Sequence, residues 1–365
     1  MTKAAELAKM GEVLTNSQIG GRRNIVYNGK MQVAQRSASA VTGIGATAGY
    51  FTCDRWVYSV AGSHAGRFTM SQSTDTPNGF SNSLKLDCTT ADTSIAAGEL
   101  AIIRQHYEGQ DLQQIKKGTS DAEQLTVSFY VKASSALTFG LELFDSDNDR
   151  QITKLFTTTT SWVRHEITFP ADTTGAFNND NARSLDLSFW IHAGSTYAGG
   201  TLNSTAFAST TTANRAAGID SFFSSTDNEF FLTGVQMELG SVATPFEHRS
   251  FGEELALCQR YFQKYADDGN GNGYFTNGMI TGTRLYGVIR WTTTMRANPT
   301  VAGTSGDFNI QSSAHTGGGF SIDETHNPSV DAVRLRTGSN SNLTNGQGAI
   351  LRFDAAGSLT ADSEL

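Results

Sequence analysis

The chain has 365 residues, a formal charge of −8 and no Lys/Arg block beyond Arg22-Arg23 and Lys116-Lys117, so the phosphate-neutralising surface that nucleic acid requires is not evident and nucleic acid is set aside as a partner. With 17% charged residues, 37 glycines and 5 prolines, the composition suits many short strands joined by turns rather than a disordered chain, and the length fits two domains. No apolar run approaches the roughly 18 residues of a membrane span, and the N-terminal residues lack the apolar core of a signal peptide, so a soluble protein without membrane insertion is expected.

Residues 2–15 form the strongest helical stretch, with Leu7, Met10 and Leu14 at spacings of three and four. The stripe is too short to hold a coiled coil alone, so it is expected either to join a small bundle in an oligomer or to dock on a partner, the alternative being a frayed terminal helix.

From about residue 22 to 248 the period becomes two. In 125–132, Leu125, Val127, Phe129 and Val131 share one face and Tyr130 takes the other, and after a Ser-rich turn 137–143 repeats the pattern, which reads as a hairpin. In 185–192, Leu185, Leu187, Phe189 and Ile191 oppose Asp186, Ser188, Trp190 and His192. Further strands are expected at 24–34, 55–60, 67–73, 83–88, 99–107, 152–157, 162–169 and 229–239, with 196–228 as a long surface excursion. Many strands with one apolar face each require two sheets packed face to face, so the fold class is all-β, a jelly-roll β-sandwich. Helical spacing returns at 252–265, with Leu255, Cys258, Tyr261 and Phe262 on one side, and strands resume at 283–294, 332–336 and 348–353. The expected organisation is therefore an N-terminal helix (1–21), a jelly roll (22–250), a connecting helix (251–266) and a smaller C-terminal β domain (267–365) whose core looks thin for a monomer.

The phrases NIVYNGKMQVAQRS (24–37), FTCDRWVYS (51–59), IRQHYEGQDLQQIKKGT (103–119) and LTVSFYVKAS (125–134) resemble segments of tail-fibre and host-attachment proteins of bacteriophages, marine ones especially. LTGVQMELGSVATPFEHRSFGEELALCQRYFQKY (232–265) resembles the closing strand of carbohydrate-binding-module jelly rolls followed by a phage-type helix. The resemblance implies a virion appendage, assembled in the host cytoplasm, whose partners are itself, other phage tail or capsid proteins and a host envelope glycan. Many podovirus fibres begin with a far longer anchor domain than the roughly 20 residues that precede the jelly roll here.

The seven histidines show no HExxH or His-x-His spacing, no hydrolase, P-loop or dinucleotide motif appears, and a non-enzyme is expected. A glycan depolymerase would need paired carboxylates about 5–10 Å apart, for which the sequence offers no positive sign. A capsid or tail decoration protein without receptor activity is the other alternative. For sugar binding the candidates are Tyr130 and Trp190 on the faces opposite the core, with Glu142 and His192 on comparable faces of their own strands, because a flat ring stacks on a pyranose while polar neighbours bond hydroxyls. The competing reading has these side chains packed beneath a loop or a neighbouring subunit, and places Trp56 and Trp162 in the core or at an edge. Asp145, Asp147 and Asp149 in DSDND alternate like calcium ligands, yet the residue at the twelfth position of such a loop is Phe156, and Asp/Asn/Ser runs make good turns. The resemblance adds structural Ca2+ as a candidate cofactor.

The N-terminal stripe and the C-terminal core together predict a homotrimer through Leu7, Met10 and Leu14. Native mass measurement of the intact chain should read trimers at micromolar concentration; monomers would show the stripe to be a docking or terminal helix instead.

Overall fold

The computed structural model describes residues 3–4, 22–266, 273–303, 308–313, 315–353 and 357–365. Leu7, Met10 and Leu14 lie outside these. The chain divides into two compact units, Met1–Phe251 and Gly252–Glu364. Among the described residues no helix is long and apolar enough to cross a membrane.

The first unit is a sandwich of two antiparallel sheets. The front sheet runs, in spatial order, β1 (Val41–Ile44), β4 (Arg67–Ser73), β5 (Ser83–Thr90), β13 (Glu229–Leu239), β7 (Leu125–Ala133) and β10 (Val163–Phe169). The back sheet runs β12 (Ala208–Ser209), β9 (Arg150–Thr157), β8 (Thr138–Asp145), β11 (Arg183–Ala193), β6 (Leu100–Glu108), β3 (Val57–Ala61) and β2 (Gly49–Tyr50). The chain alternates between sheets, as a jelly roll does: β5 lies in front, β6 behind, β7 in front, β8 and β9 behind, β10 in front, β11 behind and β13 in front.

The period-two apolar residues of both sheets meet in the interior, as their alternation requires. Phe129 of β7 packs edge-on against Phe156 at 5.0 Å and Phe189 at 5.2 Å, and Phe139 against Phe230 at 5.5 Å. Trp56 is fully buried beside Phe189. Pro170 directly follows β10, where its missing N–H ends the ladder. Cys53 and Cys88 are buried and unbridged, and burial with the neighbouring Asp54 charge pushes the Cys53 thiol up to about 12.

Three expectations are corrected. The pair 125–132 and 137–143 is not a hairpin, because β7 bonds β10 and β13 whereas β8 bonds β9 and β11, so the Ser-rich turn arches from one sheet to the other. No strand forms at 24–34: Asn28 and Met31 have positive φ (51° and 57°), and the segment is tied by its own side chains, Asn28 Nδ2 donating to Val33 O and Asp54 O, while Val26, Met31 and Val33 fill the core. The helical spacing at 252–265 is helix only through α2 (Phe251–Gln259), the second helix after α1 (Ser195–Ala198). The remainder becomes β14 (Phe262–Ala266).

In the second unit β14 pairs β23 (Ser358–Asp362), which also pairs β17 (Thr300–Gly303). A separate sheet runs β19 (Thr316–Phe320), β18 (Phe308–Ser312), β22 (Gly348–Phe353), β15 (Tyr274–Thr281), β16 (Arg284–Arg290), β21 (Ala332–Thr337) and β20 (Ile322–His326). This unit has a hydrophobic cluster of its own, including Ile280, Leu285, Phe308, Leu335, Leu351 and Leu359, with Phe275 stacked on Phe353 at 4.3 Å.

Phe129 joins both sheets, so Phe129→Ala should cost about 3–5 kcal/mol. Urea unfolding is expected to show a lower midpoint at unchanged slope; a change under about 1 kcal/mol would mean the sheets close without it.

Candidate functional site

The two outer faces of the sandwich differ. On the back sheet the alternation of β11 turns Trp190 outward as predicted, opposite Gly140, where an added Cβ would meet Thr153 at 3.2 Å, the Cβ of Trp190 at 3.4 Å and Ile219 at 3.5 Å. The face is nevertheless closed. Residues 194–220 fold over it, so that Trp190, Leu100, Ile102 and Ala216 form a second apolar cluster with Tyr197 and Ile219 against it. Trp190 Nε1 donates to Glu142 Oε2 at 2.9 Å, and Arg215 clamps the same carboxylate through Nε at 2.7 Å and Nη2 at 2.8 Å. The Arg215 guanidinium also lies over the Trp190 ring, 5.1 Å from its centroid. Trp190 and Glu142 are both 0% exposed, which removes them as sugar contacts.

The same face holds a buried ionic group on Asp186. Its carboxylate accepts from Arg183 Nε at 2.7 Å, meets His106 Nδ1 at 2.6 Å and has Arg104 Nη1 at 3.5 Å. Burial alone would raise this carboxyl; the His106 and Arg183 groups overcome it and hold Asp186 at about 2.

His192 does not lie beside Trp190. Ladder pairing slips between Trp190↔Ile102 and His192↔Ala101, a bulge at Ile191 that turns His192 to the opposite face of the strand, where it packs on Phe223 and is 0% exposed. Burial holds its pKa below the ordinary histidine value despite the nearby Glu99 carboxylate.

The DSDND carboxylates do not converge. Asp145 Oδ1 accepts the backbone N–H groups of Asp147 and Asn148 at 3.0 and 3.1 Å, closing the turn, and the cation beside Asp145 is Lys117, with Nζ 2.5 Å from Oδ2. Lys117 also bridges to Asp172 at 3.1 Å. Asp147 accepts from Asn178, and Asp149 occupies a left-handed turn position (φ 49°). The turn-forming reading of DSDND is the one this geometry fits, and the cation beside Asp145 is a lysine ammonium.

The outer face of the front sheet is covered in part, since the segment after β13 bonds across it to Arg164, Gln236 and Glu238, and Tyr130 stands on the remainder, half-buried. Tyr130 is thus on the other sheet from Trp190 and Glu142, and the four candidates line no common groove. Its ring leans on Phe80 at 5.3 Å, and Phe80 meets Phe246 at 5.1 Å and the exposed His248 at 5.4 Å. This group fits over β13 only because a bulge there carries Gly234 (φ 61°), where a Cβ would lie 2.7 Å from Phe80 and 2.8 Å from Tyr130. Farther along the face, Trp162 packs on Phe231 at 6.1 Å and donates to Asp75 at 3.0 Å. Lys85 and Lys132 flank the Phe231 ring at 5.4 and 5.0 Å, paired to Glu229 and Asp75 respectively. Hydrogen bonds from Lys132 and Trp162 hold Asp75 below the usual carboxylate range. Arg164, across from Tyr130 in the ladder, binds Glu166 at 2.5 Å and Thr244 O at 2.6 Å. Half-buried rings beside paired charges offer stacking surface and hydroxyl partners together.

Sequence reading missed Phe80, Phe246 and His248, which come from connecting segments with no alternation to mark them. Phe231 was legible, since Phe230-Phe231 within a strand must place one ring on each face.

No family model matches the chain, and no curated protein matches it. Among solved structures, the sandwich is similar to a CBM4 module (TM-score 0.30, 9% identity, 58% of this chain and 97% of that one). It is similar also to the family 11 carbohydrate-binding module of cellulosomal cellulase Lic26A-Cel5E of Clostridium thermocellum (TM-score 0.28, 11% identity, 59% and 99%) and to TmCBM61 in complex with β-1,4-galactotriose (TM-score 0.29, 10% identity, 60% and 99%). At these scores the likeness carries no functional argument, and the jelly roll stands on its own strand order.

Because the native pKa of Asp186 is depressed, its contribution of about 2 kcal/mol is full above the unfolded value near 4 and is lost as pH falls toward about 2. Stability measured across that window should fall less steeply in Asp186→Asn than in wild type. Parallel curves would show that Asp186 does not carry the acid limb.

Proposed function

We propose that this chain is a non-enzymatic subunit of a phage virion appendage that holds a host envelope glycan on the outer face of its front sheet. The observation that carries the reading is the partly exposed Tyr130–Phe80–Phe246–His248 group beside paired charges, on a sandwich whose other outer face is covered. The virion role is supported by the phage-type phrases between residues 24 and 265. Tail-fibre attachment as a homotrimer goes with that role, since several copies make weak sites sufficient. Three carboxylates of this face are each engaged by a cation, Asp75 by Lys132, Glu229 by Lys85 and Glu166 by Arg164, and Glu238 is held by Gln236 and Thr244, an arrangement suited to holding a sugar rather than to the acid and base of a depolymerase.

Isolated protein on a host-glycan array is the test, because avidity on whole virions hides single-site losses. Tyr130→Ala and Phe80→Ala should each weaken binding about three- to tenfold at retained stability, the effect of one aromatic contact. Trp190→Ala should instead lower stability. Wild-type protein that binds no host glycan would favour a decoration protein without receptor activity.

A further inference from the structure

One end of the sandwich buries a group of side chains that the glycan reading does not use. Asp92 follows β5, Glu99 immediately precedes β6, and His192 sits near the end of β11. One ligand atom from each lies within 4.8 Å of the others. The three residues are 5%, 4% and 0% exposed.

His192 Nε2 is buried without a hydrogen-bond partner and points at the carboxylates, 3.5 Å from Glu99 Oε2. Its other nitrogen, Nδ1, is 2.8 Å from Ser221 Oγ, which also accepts the Phe223 N–H at 3.1 Å. The carboxylates are aimed by backbone donors: Asp92 by Ala65 N–H at 2.7 Å and Ser94 N–H at 3.1 Å, Glu99 by Ala96 N–H at 2.9 Å. Among the described residues no Lys or Arg pairs with either one. Two buried carboxylates and an imidazole nitrogen without a hydrogen-bond partner thus face one another, which is costly unless a cation sits between them.

We propose that Asp92, Glu99 and His192 bind a divalent transition ion, Zn2+ in the first place. One imidazole nitrogen with two carboxylate oxygens suits zinc, whereas calcium takes oxygen ligands alone. Donors on a tetrahedral zinc lie about 3.3 Å apart, close to the Glu99–His192 separation. With the ion on Nε2, Nδ1 would carry the proton and donate to Ser221 Oγ, the outer hydrogen bond of such a site. His64 adjoins the group, its ring centroid 5.5 Å from that of His192 and its Nδ1 buried without a hydrogen-bond partner. Water would complete the coordination. The ion would tie the 92–99 loop to β11 and so pin this end of the sandwich.

The intact protein, stripped by a chelator and dialysed, should take up one Zn2+ per chain, gain thermal stability with zinc, and lose it again with chelator. Co2+ in place of zinc should give the visible absorption of a four-coordinate nitrogen–oxygen site. Glu99→Gln and His192→Gln should weaken zinc binding at least tenfold. Zinc content well below stoichiometric, equal uptake by wild type and both variants, or the same stabilisation by Ca2+ as by Zn2+ would overturn the proposal. Since the positions are buried, metal content and the Co2+ spectrum of the unaltered protein decide it even if a variant does not fold.

Discussion

The contact on which the closure of the back face depends is the clamp of Arg215 on Glu142 over the Trp190 ring. Each partner is unfavourable alone: a buried carboxylate without a cation, an indole N–H without an acceptor, and a long excursion with little apolar surface of its own. Together they satisfy one another, and the excursion that carries Arg215 becomes a lid packed on Leu100, Ile102 and Trp190. A large part of the back sheet is thereby removed from solvent, and with it any role for Trp190 and Glu142 in recognition.

That closure makes the two faces unequal in a way that composition does not foretell. Both present aromatic and charged side chains outward, and both are built from strands of similar length. On the back sheet the charges are buried and interlocked around Asp186 and Glu142, where removing one partner strands another. On the front sheet Lys85, Lys132 and Arg164 stay partly solvated beside their carboxylates. Such pairs contribute little to folding and can exchange partners with an arriving hydroxyl group at small cost. On the proposed reading, stability and recognition are thus separated onto opposite sides of one core.

Much of this was legible from periodicity. Strands 67–73 and 348–353 fall where alternation put them, because each has one face packed on a core and one facing away. What escaped was whatever alternation does not encode. Whether consecutive strands pair or arch between sheets depends on the partners each strand finds, so 125–143 read as a hairpin. The segment 24–34 alternates because Val26, Met31 and Val33 are core residues, yet Asn28-Gly29 is a turn signal that its left-handed φ at Asn28 bears out. In DSDND the acidic spacing was visible, but the lysine that neutralises it is 28 residues earlier in the chain, at Lys117. Tyr130 was placed outward correctly, while the rings it leans on, Phe80 and Phe246, come from segments without a period.

The two longest strands, β11 and β13, each carry a bulge, and the candidate sites lie at those bulges. A bulge inserts one unpaired residue, so every side chain beyond it changes face. In β13 the core residues Phe230 and Leu232 are followed by Met237, an odd step that regular alternation forbids, and the slip leaves Gly234 as the gap over which Phe80 and Tyr130 lie. In β11 the slip after Trp190 sends His192 inward, away from the covered face and toward Asp92 and Glu99. A strand of perfect period would have put His192 under the lid with Trp190 and closed β13 against the aromatic group. The irregularities that defeat the sequence pattern therefore set the Tyr130–Phe80 group on one face and bring Asp92, Glu99 and His192 together at one end.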